Sequence, residues 1–193
     1  MEKRKNYLGI EIRPQAVEFA LKRLERDHEE LKGSLYYISC NANVDLDRML
    51  GQYTGSITKN EGDSDKATSG GSIDLVSIQF PDPHFKEAHK KRRVVTPIFV
   101  DTLAKYMLPG STIFLQSDVK PVLDDMREKF RASPYFKDDL DSENDYIEEN
   151  PIGIRTEREI SVLTRDLGIW RVLLRRTDLI YDLSSSSTTQ IAD

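Results

Sequence analysis

Four polar side chains follow apolar runs that are typical of β-strands. Glu11, Asn41, Asp82 and Asp118 each lie at or just after the end of such a run. In an open α/β sheet, ligands bind beyond the carboxyl ends of the strands, so we expect these side chains to converge on one crevice. An acid at such a position commonly accepts hydrogen bonds from ribose hydroxyls, which is the role we predict for Glu11. The alternative is an exposed acid beside Arg13.

Asp82 has the most restricted backbone of the four, because it lies between Pro81 and Pro83. A carboxylate fixed in this way after a buried strand is suited to chemistry in the crevice. The alternative is a simple Pro-Asp-Pro turn. Asn41 has a comparable alternative, since asparagine after a strand often forms a turn.

A basic stretch follows Asp82. Residues 86–93 (KEAHKKRR) contain five Lys or Arg residues, on a chain in which 33 acids outnumber 28 bases for a net charge of −5. Contact with nucleic acid must therefore come from a local patch, and counterion release favours such clustering on a phosphate backbone. The alternative is a solvated positive face. An acidic crevice beside this patch suggests an enzyme that acts on RNA or DNA.

The elements that must position these residues alternate between strands and helices. The predicted strands cover 7–12, 35–40, 73–80, 111–116 and 169–174. The predicted helices cover 14–32, a short segment near 46–50, 97–107, 119–130 and 157–167, with Thr96, Asp118 and Thr156 as caps. This order implies an α/β fold with a mostly parallel sheet and helices on both faces.

Three segments have a composition typical of solvated chain rather than of a buried core. Residues 51–72 are rich in Gly, Ser and Thr and predict a flexible insertion, residues 138–149 predict an acidic loop, and residues 183–193 predict a disordered tail. The 193 residues fit one domain, which we place at residues 1–182.

Composition excludes several classes of protein. No apolar run approaches the roughly 20 residues that cross a bilayer, so we expect a soluble chain without a membrane partner. The single cysteine, Cys40, excludes an internal disulfide and a multi-cysteine zinc site. Three histidines leave little for a metal centre, and we predict no metal. This composition fits a reducing compartment but does not identify it: the cytoplasm, or a plastid if a transit peptide precedes the chain.

Several of these segments together resemble the tRNA (guanine-N7)-methyltransferase family. The resemblance rests on residues 7–13 (YLGIEIR), 80–86 (FPDPHFK), the basic stretch to Arg93, 116–118 (QSD) and 150–159 (NPIGIRTERE). The matches run in order from about Asn6 to Arg176 and look closest to plant and algal plastid-type members.

The resemblance implies a Rossmann-like class I fold that uses S-adenosylmethionine to methylate N7 of guanine 46 in the variable loop of tRNA. It assigns the cofactor to Glu11, Asn41, Ala42 and Asp82, with Asp82 also the catalytic acid. It assigns the substrate guanosine to Lys86, Asp118, Thr156, Glu157, Arg158 and Glu159, and the RNA to His89, Lys90, Lys91, Arg92 and Arg93. For Thr156 and Glu159 the alternative is a helix capping box, and the two roles are compatible.

Guanine N7 carries an exposed lone pair, so methyl transfer to it requires no base. We therefore expect positioning to dominate, with a fixed carboxylate stabilising the positive charge that moves to the purine.

The sequence departs from this family at its start. Members begin with a strand and a glycine-rich loop, and nothing of that kind precedes Tyr7. Gly70 and Gly71 come before a strand, so they do not replace the loop. We expect an N-terminally truncated chain, without the central strand between those ending at Glu11 and Asp82, and weak cofactor binding; a genuine variant is the alternative.

The sequence is also compatible with two other functions. One is a catalytically inactive tRNA- or RNA-binding module that has lost its cofactor site. The other is a nicotinamide-dependent dehydrogenase, which keeps a role for Glu11 but leaves the basic stretch unexplained and lacks a glycine fingerprint. The sequence does not distinguish a monomer from a homodimer.

Overall fold

The computed structural model of the chain describes residues 5–55, 70–85, 92–140, 142 and 145–182. Its strands are β1 (Tyr7–Glu11), β2 (Leu35–Ser39), β3 (Leu75–Gln79), β4 (Thr112–Ser117), β5 (Phe136–Asp138) and β6 (Trp170–Arg176). Its helices are α1 (Pro14–Asp27), α2 (Ala42–Thr54), α3 (Pro97–Tyr106), α4 (Lys120–Arg131) and α5 (Glu157–Leu163). The predicted α/β class is confirmed.

The strands in the described ranges form two sheets. β1 pairs in parallel with β2, and a four-stranded sheet has the order β3-β4-β6-β5. β3 and β4 are parallel, as the alternation of strands and helices predicts, whereas β6 runs antiparallel to both β4 and β5. Two antiparallel strands can be joined without a crossover connection. β5 runs toward the end of the sheet at which β4 ends, and the first residue of β6 lies at that end.

The chain divides into two compact units, residues 1–49 and 50–193. In the first unit α1 packs against β2 and contributes Val17 and Leu24 to a small core. The opposite side chains of its sheet, Leu8, Ile10, Tyr36 and Ile38, are 36–52% exposed. The second unit has a larger core, built from the fully buried β4 side chains Ile113, Phe114 and Leu115 and from α3, α4 and β6.

Two predicted helix starts are confirmed at the level of hydrogen bonds. The Thr96 hydroxyl accepts a hydrogen bond from the Phe99 amide at 3.1 Å, with Pro97 in the first turn of α3. The Thr156 hydroxyl accepts one from the Glu159 amide at 3.1 Å, at the start of α5.

Several predicted boundaries were wrong. α1 ends at Asp27, and residues 29–31 form a separate 3-10 turn before Gly33, which has a φ of +82°. α2 continues to Thr54 inside the predicted insertion, of which residues 56–69 lie outside the described part. α5 ends at Leu163 rather than near Leu167. The predicted tail lies outside the described residues.

Two predicted roles of aspartates were also wrong. α4 has no side-chain cap, because its N-cap residue is Val119, and the Asp118 carboxylate pairs with Arg158 instead. Asp138 is not solvated: its side chain is 5% exposed and accepts hydrogen bonds from Arg127 at 2.5 Å and from Arg131 at 3.0 Å. These two arginines project from α4, so they anchor β5 to that helix.

No helix in the described ranges has the length and apolar character needed to cross a membrane.

Candidate active site

The turn around Asp82 leaves β3 in a constrained conformation. Phe80 has a φ of +49° and His84 a φ of +43°, and each left-handed residue of this kind costs roughly 1–3 kcal/mol. The Phe80 amide donates to the Gln116 carbonyl at 2.8 Å, and the His84 amide donates to Asp82 Oδ1 at 3.1 Å. The Asp82 side chain is nevertheless 72% exposed. The turn therefore presents a fixed carboxylate to solvent.

Asp118 lies at the same edge of the sheet, because β3 and β4 are parallel and each of the two acids follows the end of its strand. Arg158 Nη2 donates to Asp118 Oδ2, so the first turn of α5 is joined to the end of β4. The direction of β6 explains this proximity. Its first residue, Trp170, pairs with Ser117 at the end of β4, and α5 precedes it in the chain.

Glu159 is the centre of a buried polar network and is only 1% exposed. Its Oε1 accepts a hydrogen bond from Arg171 Nη2 at 2.9 Å. Its Oε2 accepts from Asn150 Nδ2 at 2.8 Å and from Gln116 Nε2 at 3.2 Å. Burial raises the pKa of Glu159, but these three donors and the charge of Arg171 outweigh it and hold the pKa below its ordinary value. The carboxylate is therefore ionised at neutral pH.

Arg171 completes this network from β6. Its Nε donates to Gln116 Oε1 at 2.5 Å and its Nη1 donates to the Glu148 carbonyl at 2.6 Å. The network thus ties together β4, β6, α5 and the chain before α5. It holds the helix whose residue Arg158 reaches Asp118.

Asn150 also shapes the turn that leads into α5. Its Nδ2 donates to the Ile154 carbonyl at 3.2 Å, and its Oδ1 accepts from the Ile152 amide at 2.9 Å. Gly153 has a φ of +78°, which favours glycine. Glu157, the first residue of α5, is exposed.

Sequence reasoning missed the parts that Gln116, Asn150 and Arg171 play in holding Glu159. The available signal was Arg171 itself, since an arginine within an otherwise apolar strand requires a buried acceptor. The capping box is only half formed: the Glu159 amide donates to the Thr156 hydroxyl, but the Glu159 carboxylate accepts from Arg171, Asn150 and Gln116 rather than from the Thr156 amide.

The basic stretch is described only in part. Lys86, His89, Lys90 and Lys91 lie outside the described residues. Arg92 is exposed, whereas Arg93 is 9% exposed and faces protein groups.

Three of the four predicted cofactor residues, Glu11, Asn41 and Ala42, lie at or just after the ends of β1 and β2 in the first unit, whereas Asp82 belongs to the second. Glu11 Oε1 accepts hydrogen bonds from the backbone and the side chain of Arg13, both at 3.0 Å, and the Arg13 guanidinium lowers the pKa of Glu11. Asn41 Oδ1 accepts from the Asn43 amide at 3.0 Å, just before Ala42 begins α2. Both local alternatives considered from the sequence are thus present, and neither prevents a ligand contact.

Within the described residues, no three His, Cys, Asp or Glu side chains are grouped as a metal site.

Comparison with known proteins identifies the fold and the family. The structure of "A putative sam-dependent methyltransferase from Streptococcus mutans" aligns with a TM-score of 0.50 and 8% identity, over 88% of this chain and 38% of that one. The Rossmann-like methyltransferase fold expected from the sequence is therefore confirmed.

Sequence comparison is more specific than the fold. A family model described as "Putative methyltransferase" matches residues 65–172. The tRNA (guanine-N(7)-)-methyltransferase of Synechococcus elongatus is 40% identical over 171 residues, which are 89% of this chain and 70% of that protein. The protein of the same name from Synechocystis sp. is 37% identical over 89% of this chain and 72% of its own length. The chain belongs to the tRNA (guanine-N7)-methyltransferase family.

Proposed function

We propose that this protein transfers a methyl group from S-adenosylmethionine to N7 of guanine 46 in the variable loop of tRNA. The observation that carries the proposal is the 40% identity to a named tRNA (guanine-N7)-methyltransferase across 89% of the chain. The geometry supports it, because Asp82 and Asp118 follow adjacent parallel strands at the edge where this class of fold binds ligands.

The residues assigned to S-adenosylmethionine fit its chemistry. Glu11 is ionised at neutral pH and only partly buried, so its carboxylate is able to accept hydrogen bonds from ribose hydroxyls. Asn41 lies between β2 and α2, and Ala42 is the first residue of α2. We assign both residues to the adenine. When bound, the cofactor supplies the methyl group as part of a sulfonium.

Asp82 acts by orientation and charge in this proposal. Guanine N7 has an available lone pair, so no side chain must remove a proton before transfer. The constrained turn fixes the carboxylate without burying it, and a fixed negative charge stabilises the positive charge that develops on the purine. We therefore assign Asp82 both to the cofactor and to the catalytic step.

Asp118 is suited to recognise guanine. Its carboxylate is able to accept hydrogen bonds from the N1–H and the exocyclic amine of the base, which distinguishes guanine from adenine. We assign Lys86, Thr156, Glu157 and Arg158 to the same guanosine, and Glu159 supports them indirectly by holding α5 in place through its buried network. The guanidinium of Arg158 already pairs with Asp118 and therefore holds that carboxylate in place.

For the RNA backbone we propose the exposed Arg92, together with His89, Lys90 and Lys91 of the same stretch. Their positive charges would attract phosphates locally on a chain whose net charge is −5. Arg93, which the sequence places in the same group, is instead 9% exposed and contacts Pro83 and Asp125.

A methyl-transfer assay tests the proposal. Radiolabelled S-adenosylmethionine is incubated with the protein and unmodified tRNA, and the modified nucleotide is mapped by cleavage at 7-methylguanosine. We expect label at guanine 46 and none in a matched tRNA with adenine at that position. Label at another guanine would contradict the assigned position, and tRNA binding without transfer would favour the inactive RNA-binding module.

A further inference from the structure

Arg93 is the last residue of the basic stretch, yet its side chain is directed toward the protein. Its Nε donates to the Pro83 carbonyl at 3.0 Å, and its Nη1 lies 3.1 Å from Asp125 Oδ2. The side chain is 10% exposed. Two nitrogens of one guanidinium thus join the turn that carries Asp82 to helix α4.

The turn needs such a contact because its backbone supplies few hydrogen bonds. Pro81 and Pro83 have no amide hydrogen, while Phe80 and His84 both adopt left-handed conformations. A strained conformation persists only where its surroundings fix it. Arg93 provides one of these constraints, at the carbonyl of the residue immediately after Asp82.

The other end of the contact is rigid. Asp125 projects from α4 and also accepts a hydrogen bond from Lys129 at 2.5 Å. The neighbouring α4 side chains Leu123 and Met126 are at most 2% exposed and lie in the core. The chain after Arg93 is equally fixed, because Val95 is 1% exposed and Thr96 caps α3.

We propose that Arg93 is a positioning residue that holds the Asp82 turn against α4, and that it is not a contact to tRNA phosphate. This inference rests on the proposed function for the role of Asp82. It separates two adjacent arginines of the same sequence motif, because Arg92 is exposed and Arg93 is buried between two protein acceptors.

Substitution of the two arginines distinguishes the roles. Arg92→Ala is expected to lower the slope of log affinity for tRNA against log salt by about one, as loss of a phosphate contact does. Arg93→Ala is expected to leave that slope unchanged and to shift the backbone amide resonances of Asp82 and His84. In the methyl-transfer assay it should lower kcat by about tenfold or more with less than about twofold change in KM for tRNA.

Arg93→Lys is the most discriminating variant, because it keeps the positive charge but removes the planar guanidinium whose two nitrogens contact Pro83 and Asp125. A lysine ammonium does not reproduce the two-pronged geometry of a guanidinium. We therefore expect Arg93→Lys to shift the same amides as Arg93→Ala. Asp125→Asn loosens the same contact from α4 with little change in side-chain volume, and it decides the case if the Arg93 variants do not fold.

These measurements separate a failure of the Arg93 proposal from a failure of the proposed methyltransferase function. The amide shifts are measured without substrate, so they test the Arg93 contact even if the chain transfers no methyl group. The inference is overturned if Arg93→Ala lowers the salt slope by about one, as Arg92→Ala does, while the Asp82 and His84 amides stay in place. It is also overturned if Arg93→Lys and Asp125→Asn both leave those amides and kcat unchanged.

Discussion

Glu159 shows how a single residue holds the edge of the sheet on which the proposed site depends. A buried carboxylate is unfavourable unless its charge is paired and its oxygens accept hydrogen bonds. Glu159 meets both conditions through Arg171, Gln116 and Asn150, which come from three separate parts of the chain. The Glu159–Arg171 ion pair therefore fixes one arrangement of these segments, and loss of either residue leaves the other as an uncompensated buried charge.

The charge of Glu159 should make stability depend on pH in the acidic range. The pKa of Glu159 in the folded chain lies below its ordinary value of 4.5, so the unfolded chain takes up this proton first as the pH falls. The stabilisation is fully present above about pH 4.5 and is lost as the pH falls through the folded-state pKa. Urea unfolding of the wild type and of Glu159→Gln between pH 7 and pH 3 measures this.

We expect Glu159→Gln to lower the free energy of unfolding by about 3–5 kcal/mol at pH 7 and by progressively less at lower pH. The other carboxylates are common to both proteins and cancel in the difference. A difference that stays constant with pH would show that the charge of Glu159 does not contribute.

For Asp82 the informative substitution is Asp82→Asn. Asparagine keeps the Oδ1 that accepts from the His84 amide, so the turn should survive, while the negative charge is lost. We expect kcat for methyl transfer to fall by about 10²-fold or more, in the range seen for loss of one electrostatic contact to a transition state. Because the side chain is 72% exposed, the midpoint of urea unfolding should hardly change. Full activity in Asp82→Asn would remove the proposed catalytic role.

At the scale of elements, the two capping threonines form a matched pair. Thr96 and Thr156 each accept a hydrogen bond at 3.1 Å from the amide three residues later. Thr96→Ala and Thr156→Ala should each lower the free energy of unfolding by about 1 kcal/mol, since each removes an N-cap. If Thr156 also contacts the substrate, only Thr156→Ala should raise KM for tRNA.

Serine restores the cap in both cases, so Thr156→Ser and Thr96→Ser control for stability. Unfolding is followed by urea titration and KM by methyl transfer at fixed cofactor concentration. An equal rise in KM for both alanine variants would assign the effect to stability alone.

The elements also show what the sequence was able to predict. The threonine caps, the proline starts and the strands that precede Arg13 and Asp82 depend on neighbouring residues, and their existence was predicted correctly. The burial of Asp138, the direction of β6 and the network around Glu159 depend on distant partners. Gln116 and Arg171, for example, are 55 residues apart in the chain. A local pattern such as an arginine in an apolar strand indicates that an acceptor is needed, but not which distant residue supplies it.

At the scale of the whole molecule, the two compact units differ in how much apolar surface they bury. The first unit has a two-stranded sheet with Leu8, Ile10, Tyr36 and Ile38 exposed on one side. Two strands with partial cover are marginally stable in water. The second unit contains β4, whose residues 113–117 are all at most 1% exposed. We therefore expect the two sheets to open with different free energies.

Native-state hydrogen exchange of the chain tests this difference. Amides in β1 and β2 should exchange through openings of lower free energy than those in β4, with a weaker dependence on urea, because less surface is exposed when the smaller unit opens. The amides of Ile38 and Phe114 are a suitable comparison, since both residues are in parallel strand pairs of five residues. If both exchange with the same free energy and the same urea dependence, the two units unfold as one. The exposed face of the first sheet would then have no effect on its local stability.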